Sequence, residues 1–98
     1  MTQRFNVAGI SYNISKKEPE HMQGHIGLAD FNAQEIRINS IYSEQTKLIA
    51  VYHEIIHIIS DAYGLHLSEE QVRVGTHALI AFLAENPNFN IKEILSTL

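Results

Sequence analysis

His53-Glu54-Ile55-Ile56-His57 places two imidazoles four residues apart, with a carboxylate between them. On a helix the two rings rise from one face, a turn apart, close enough to grip one metal ion, and the glutamate can face a water on that ion. Zinc held this way lowers the pKa of bound water to about 7, so a neighbouring carboxylate can take its proton and direct the oxygen at a carbonyl. The chemistry this predicts is zinc-dependent hydrolysis, of a peptide bond before others, with His53 and His57 as Zn²⁺ ligands and Glu54 as general base. The contrary reading makes the two histidines core-edge residues with local hydrogen bonds. Two imidazoles and a carboxylate interrupting one apolar helix are costly to bury without partners, which favours the metal.

A catalytic zinc takes three protein ligands and leaves one position for water, so a third donor must come from elsewhere in the chain. Glu70 is the first candidate. Twelve residues after His57 leave room for a reversal through Gly64 and entry into a second helix antiparallel to the first. There Val74, Ala78 and Ala81 line a face beside Glu70 that can look inward. Glu69 falls with Arg73 and Thr76 on a face read as more solvated, and both acids also suit the first turn of a helix dipole. His77, seven residues after Glu70, is a second candidate, either as ligand or as hydrogen-bond donor to the developing oxyanion; Glu69 and His66 stay open. Asp61, one turn beyond His57, can orient a ligand histidine through its second ring nitrogen, or simply end the helix. His21 and His25 read as surface residues.

The elements that must position these groups follow from local pattern. Phe5–Ile14 alternates in polarity and reads as one strand with Gly9 at a turn or bulge, and Ser15–Gln23, polar and containing Pro19, reads as a loop. His25–Asp30 and Glu35–Asn39 are short alternating runs around Phe31–Gln34, which predicts an antiparallel hairpin. From Ser43 to Tyr63 no Pro or Gly interrupts an apolar helical pattern; Ser43 or Ser40 can cap it and Gly64 can stop it. Ser68 with Gln71 three residues on fits a capping box for a second helix to about Glu85, ended by Asn86-Pro87. Its predicted packing stripe is Val72, Gly75, Thr76, Leu79, Phe82 and Leu83, with Gly75 allowing close approach. A short helix over Ile91–Leu98 follows. The expected fold class is α+β: a small antiparallel N-terminal sheet of about three strands on two long helices, in one domain spanning residues 1–98.

Composition bounds the partners. A net charge of −4 with only seven Lys and Arg argues against nucleic acid and against an anionic membrane surface. Cysteine is absent, so the metal must be held by nitrogen and oxygen. The N-terminal stretch Met1–Asn6 has no signal-peptide pattern and no run is long enough to span a bilayer, so the expected location is the cytoplasm.

Tyr52-His53-Glu54-Ile55-Ile56-His57, Tyr63-Gly64-Leu65, Leu67-Ser68-Glu69-Glu70-Gln71-Val72 and the hairpin strand Gln34–Asn39 together resemble the gluzincin metallopeptidases. Within them the chain is most similar to the minimal phage and prophage domains grouped with ImmA/IrrE-like peptidases. The Glu-Ala-Asn context that larger members give their glutamate ligand is missing. The resemblance implies a zincin-like fold and an endopeptidase with His53, His57 and Glu70 on zinc. It also implies Glu54 polarising water, an extended substrate along an edge strand corresponding to Glu35–Asn39, and a peptide or protein substrate such as an intracellular regulator in a bacterial host cytoplasm. The competing class is a non-catalytic protein-binding module that keeps its metal for stability. A self-inhibited enzyme, with Asn90–Leu98 laid over the cleft, stands between the two.

Overall fold

The computed structural model describes residues 3–98; Met1 and Thr2, part of the stretch read for a signal peptide, lie outside them. The run expected as a single strand folds back on itself: β1 (Gln3–Val7) and β2 (Ile10–Lys17) pair antiparallel, with Val7 opposite Ile10. Only Ala8 and Gly9 connect them, at φ 51° and 81°. Two consecutive positive φ angles give a two-residue hairpin loop the twist that matches its flanking strands. Gly9 marks a turn or bulge; Ala8 carries no turn signal, which is why the full reversal does not show in the sequence. The strand then extends through Ser15 to Lys17, into the segment expected to be a loop.

A 3₁₀ turn (Pro19–His21) leads to β3 (Gly27–Asp30) and β4 (Glu35–Asn39), the antiparallel hairpin that the alternation predicted. Its turn is clasped by charge. Asp30 accepts from the Ala33 N–H (3.0 Å) and from Arg37 (2.6 Å), while the Arg37 Nε donates to Glu35 (2.8 Å). These contacts, the Ala33 N–H foremost, hold the Asp30 carboxyl below its ordinary range. β4 enters the sheet beside β2 and parallel to it, giving the order β1-β2-β4-β3. The fold class is α+β as expected, with a mixed sheet of four strands in place of about three antiparallel ones. Parallel pairing of β2 with β4 is non-local, set by the return of the β3–β4 hairpin and by no pattern within either strand.

Helix α1 (Glu44–Tyr63) lies across this sheet. Ile36 and Ile38 from β4, Tyr12 and Val7 from the first hairpin, and Ala50 and Ile58 from α1 form the buried core. Gly27 lets β3 close on the helix: a Cβ there would meet the Ala50 Cβ at 3.1 Å and the Ile38 Cδ1 at 3.3 Å. Buried Asn39 ends β4 with its side chain satisfied, donating to the His25 carbonyl (3.1 Å) and accepting from the Ile41 N–H (3.2 Å). Ser43, not Ser40, caps α1, and Gly64 at φ 64° stops it.

Helix α2 (Glu69–Glu85) opens with the predicted capping box: Gln71 N–H donates to Ser68 Oγ, and the Ser68 N–H to Gln71 Oε1. It packs chiefly on α1. Val72 and Thr76 are fully buried, with the Thr76 hydroxyl donating to the Val72 carbonyl (2.7 Å), whereas Leu79, Phe82 and Leu83 from the same expected stripe are exposed. Gly75 makes no close approach, since a Cβ there would meet nothing within 4 Å. Gly75→Ala therefore removes backbone freedom from the unfolded chain at no steric cost and is expected to stabilise the fold by about 0.5–1 kcal/mol. Urea denaturation checks this; a loss of stability would show that Gly75 meets a neighbour after all. A short α3 (Ile91–Thr97) follows. No helix among the described residues is long and apolar enough to cross a membrane.

Candidate metal centre

His53 and His57 sit on successive turns of α1 with ring centroids 4.9 Å apart. Both Nε2 atoms aim at one carboxylate, that of Glu69 at the first position of α2: His53 Nε2 is 2.6 Å from Oε1, and His57 Nε2 is 3.1 Å from Oε2. One donor atom from each of His53, His57 and Glu69 lies within 4.8 Å of the others, and this group could hold a metal ion. A tetrahedral site with bonds of about 2 Å spaces its donors by roughly 3.3 Å, so the cluster has the span such an ion needs. The histidine contacts draw the Glu69 carboxyl below its ordinary range, although Glu69 itself is 72 % exposed along its side chain.

The carboxylate facing the histidines is thus Glu69, where the sequence pointed to Glu70. Glu70 turns away into a bidentate pair with Arg73 (Nε to Oε2, 3.0 Å) on the outer surface. Helix phase explains the difference. The face of α2 that meets α1 is defined by Val72 and Thr76, and Glu69 precedes them by three and seven residues, so it shares their face. Val74, taken as a neighbour on an inward face of Glu70, is exposed.

A pinned reversal delivers Glu69. Buried Ser60 accepts the Leu67 N–H on its Oγ (3.1 Å) and the Leu65 N–H on its carbonyl (2.9 Å), tying the connection between the helices to the last turn of α1. Within it His66 has a left-handed backbone, φ 54°, which is uncommon for a non-glycine residue.

Glu54 lies between two cavities. One, of about 370 Å³, is lined by Glu54, His57 and Asp61 from α1, by Leu28 and Phe31 from the β3 hairpin, and by His66. The other, of about 380 Å³, is lined by His53, Glu54, Ile49 and Ala50 with His25 and Ile26. Burial against β3 pushes the Glu54 carboxyl up; the two histidines, and the Ala29 N–H more weakly, pull the other way. The strand above this cleft is β3, an edge of the sheet. The strand expected in that place, Glu35–Asn39, is β4, which is paired on both sides and has no free backbone edge.

Two more expected residues change standing. Asp61 lines the first cavity but makes no hydrogen bond to either histidine among the described residues. His77 is exposed on α2 and lines neither cavity. His66 and His25 occupy the ends of the cleft instead; their loop positions offer no periodicity from which this placement could be read. The C-terminal segment Asn90–Leu98 contributes nothing to the lining of either cavity, so it does not cover the cleft. Comparison with known protein families, with curated proteins and with solved structures finds no match to this chain.

Proposed function

We propose that this chain is a zinc-dependent endopeptidase of the gluzincin type that its helix motif resembles, with His53, His57 and Glu69 as the metal ligands. The observation that supports it above all is the convergence of those three donors beside a half-buried carboxylate, Glu54, under an unpaired strand edge. Two imidazoles and one carboxylate, with no thiolate in the chain, suit zinc, and among the described residues the group holds three donors, leaving a position for water. A non-catalytic structural site would be closed by a fourth protein ligand.

Zinc bound there would polarise the scissile carbonyl and lower the pKa of the attacking water. Glu54 takes the proton of that water as its oxygen bonds to the carbonyl carbon, then passes it to the departing amine as the C–N bond breaks. For this Glu54 must be ionised; burial disfavours its charge, and a zinc ion held by the adjacent imidazoles would supply the positive charge that offsets it. The free N–H and C=O groups of β3 pair with an extended peptide, fixing its direction across Glu54, while the two cavities receive the side chains on either side of the cut. His66, which lines the first cavity, would donate to the carbonyl oxygen as negative charge develops on it.

The test is incubation with a mixture of unstructured peptides of all side-chain types, read by mass spectrometry. Internal cleavage that stops with a chelator and returns with one equivalent of Zn²⁺ is the expected result. Zinc-loaded protein that cuts none of them would remove the proposal.

A further inference from the structure

From the molecule's surface we infer that it pairs with a second copy of itself, each copy seating the apolar stripe of its α3 in the groove between α1 and α2 of the other. The first observation is area. A compact monomer of 11.1 kDa exposes roughly 5,700 Å², and this chain exposes 7063 Å². The excess of about 1,400 Å² lies above the roughly 800 Å² that each partner hides in a standard interface, in the range of permanent dimers. The shape agrees: the radius of gyration is 14.6 Å, against about 12.6 Å for a compact chain of this length.

Part of the exposed apolar surface lies on α3. No residue of α3 is buried. Ile91 and Leu95, one turn apart, are 73 % and 66 % exposed, and Leu98 continues their line, while Lys92, Glu93, Ser96 and Thr97 take the other sides. A helix of seven residues with its apolar side in water has no reason to persist alone. The complementary feature is a groove of about 290 Å³ lined by Leu48 and Tyr52 of α1 and by Ile80, Leu83 and Ala84 of α2, with Gln45 at its rim. The second half of α2, where Leu79, Phe82 and Leu83 are exposed, supplies one wall.

The chain's own α3 does not fill it. Asn86-Pro87 ends α2, Phe89 folds back edge-on against Phe82 with centroids 5.3 Å apart, and α3 lines a hollow with its own connector while contributing nothing to the groove. Stripe and groove on one molecule, unable to meet each other, are the two halves of a reciprocal contact: stripe to groove and groove to stripe about a two-fold axis. The metal cluster lies on another face of α1, since the groove shares no residue with either cavity beside Glu54.

Sedimentation equilibrium of the intact chain over a wide concentration range tests this, with Leu95→Glu and Leu83→Glu as variants. Both positions are exposed, so the monomer fold should survive, as circular dichroism would verify. The expected result is a dimer whose dissociation constant rises by at least roughly 30-fold in either variant, as for loss of an interface hot spot. Because the natural chain has no cysteine, mixing Leu83→Cys with Leu95→Cys copies under mild oxidation should give the mixed disulfide in preference to either symmetric one. A chain monomeric at every concentration overturns the inference and leaves the face to a different protein. A dimer that tolerates both glutamates, or a mixed disulfide no more abundant than the symmetric ones, overturns it equally.

Discussion

Glu54→Gln should abolish peptide hydrolysis while leaving the metal in place. The amide keeps the shape of the carboxylate but cannot accept the water's proton, and loss of a positioned general base costs about 10²–10⁴-fold in kcat. Metal affinity should hold because Glu54 is not among the three converging donors. Stability should hold or rise, since the substitution takes a carboxylate out of a site where burial opposes its charge. Steady-state kinetics on a cleaved peptide, beside a metal titration of the same preparation, separates the two effects. A kcat within tenfold of the parent would mean that another group moves the proton.

The second large effect separates two adjacent residues. Glu69→Gln should weaken zinc binding by more than ~100-fold, beyond what loss of a supporting contact costs, whereas Glu70→Gln should change it by less than about twofold. Glu69 reaches both imidazoles across the gap between the helices; Glu70 is fully occupied with Arg73 in solvent. Competition against a chromophoric chelator gives both affinities. If Glu70→Gln instead released the metal, α2 would have to rotate by about 100° from the phase described here.

That pair also shows what a sequence can and cannot carry. The helix around His53 and His57, its Ser43 and Gly64 ends and the Ser68–Gln71 box were legible because each depends on neighbours within a few residues. The β3–β4 hairpin was legible for the same reason. The phase of α2 was not. Its apolar residues cover so much of its circumference that two faces compete, and the choice falls to Val72 and Thr76, which meet α1, over Val74, which does not. The expected stripe already contained Val72 and Thr76, and had the acid been sought three and seven residues before them, Glu69 would have stood out. Leu79, Phe82 and Leu83 belong to that stripe by spacing yet stay exposed, Phe82 meeting only the ring of Phe89 from the connector that follows.

The sheet divides in the same way. Gly9 was legible as a turn or bulge, but a full reversal there was not, since alanine at position 8 seldom adopts a positive φ, and the parallel contact of β2 with β4 joins segments about twenty residues apart. Its consequence is functional: with β4 enclosed, the strand facing the cleft is β3, and Gly27 brings it down onto Ala50 just before the metal motif. On the proposed function, position on the sheet edge, a property of topology, makes β3 and not β4 the strand that would receive a peptide.

The central claim is that His53, His57 and Glu69 hold one zinc ion, and X-ray absorption at the zinc edge, on protein purified without added chelator, reports on it most directly. The expected result is one equivalent of zinc per chain, bound by two imidazole nitrogens and carboxylate oxygen, the carboxylate signal altered in Glu69→Gln and unchanged in Glu70→Gln. Protein that carries no stoichiometric zinc after reconstitution, or a shell with a single imidazole, would contradict it.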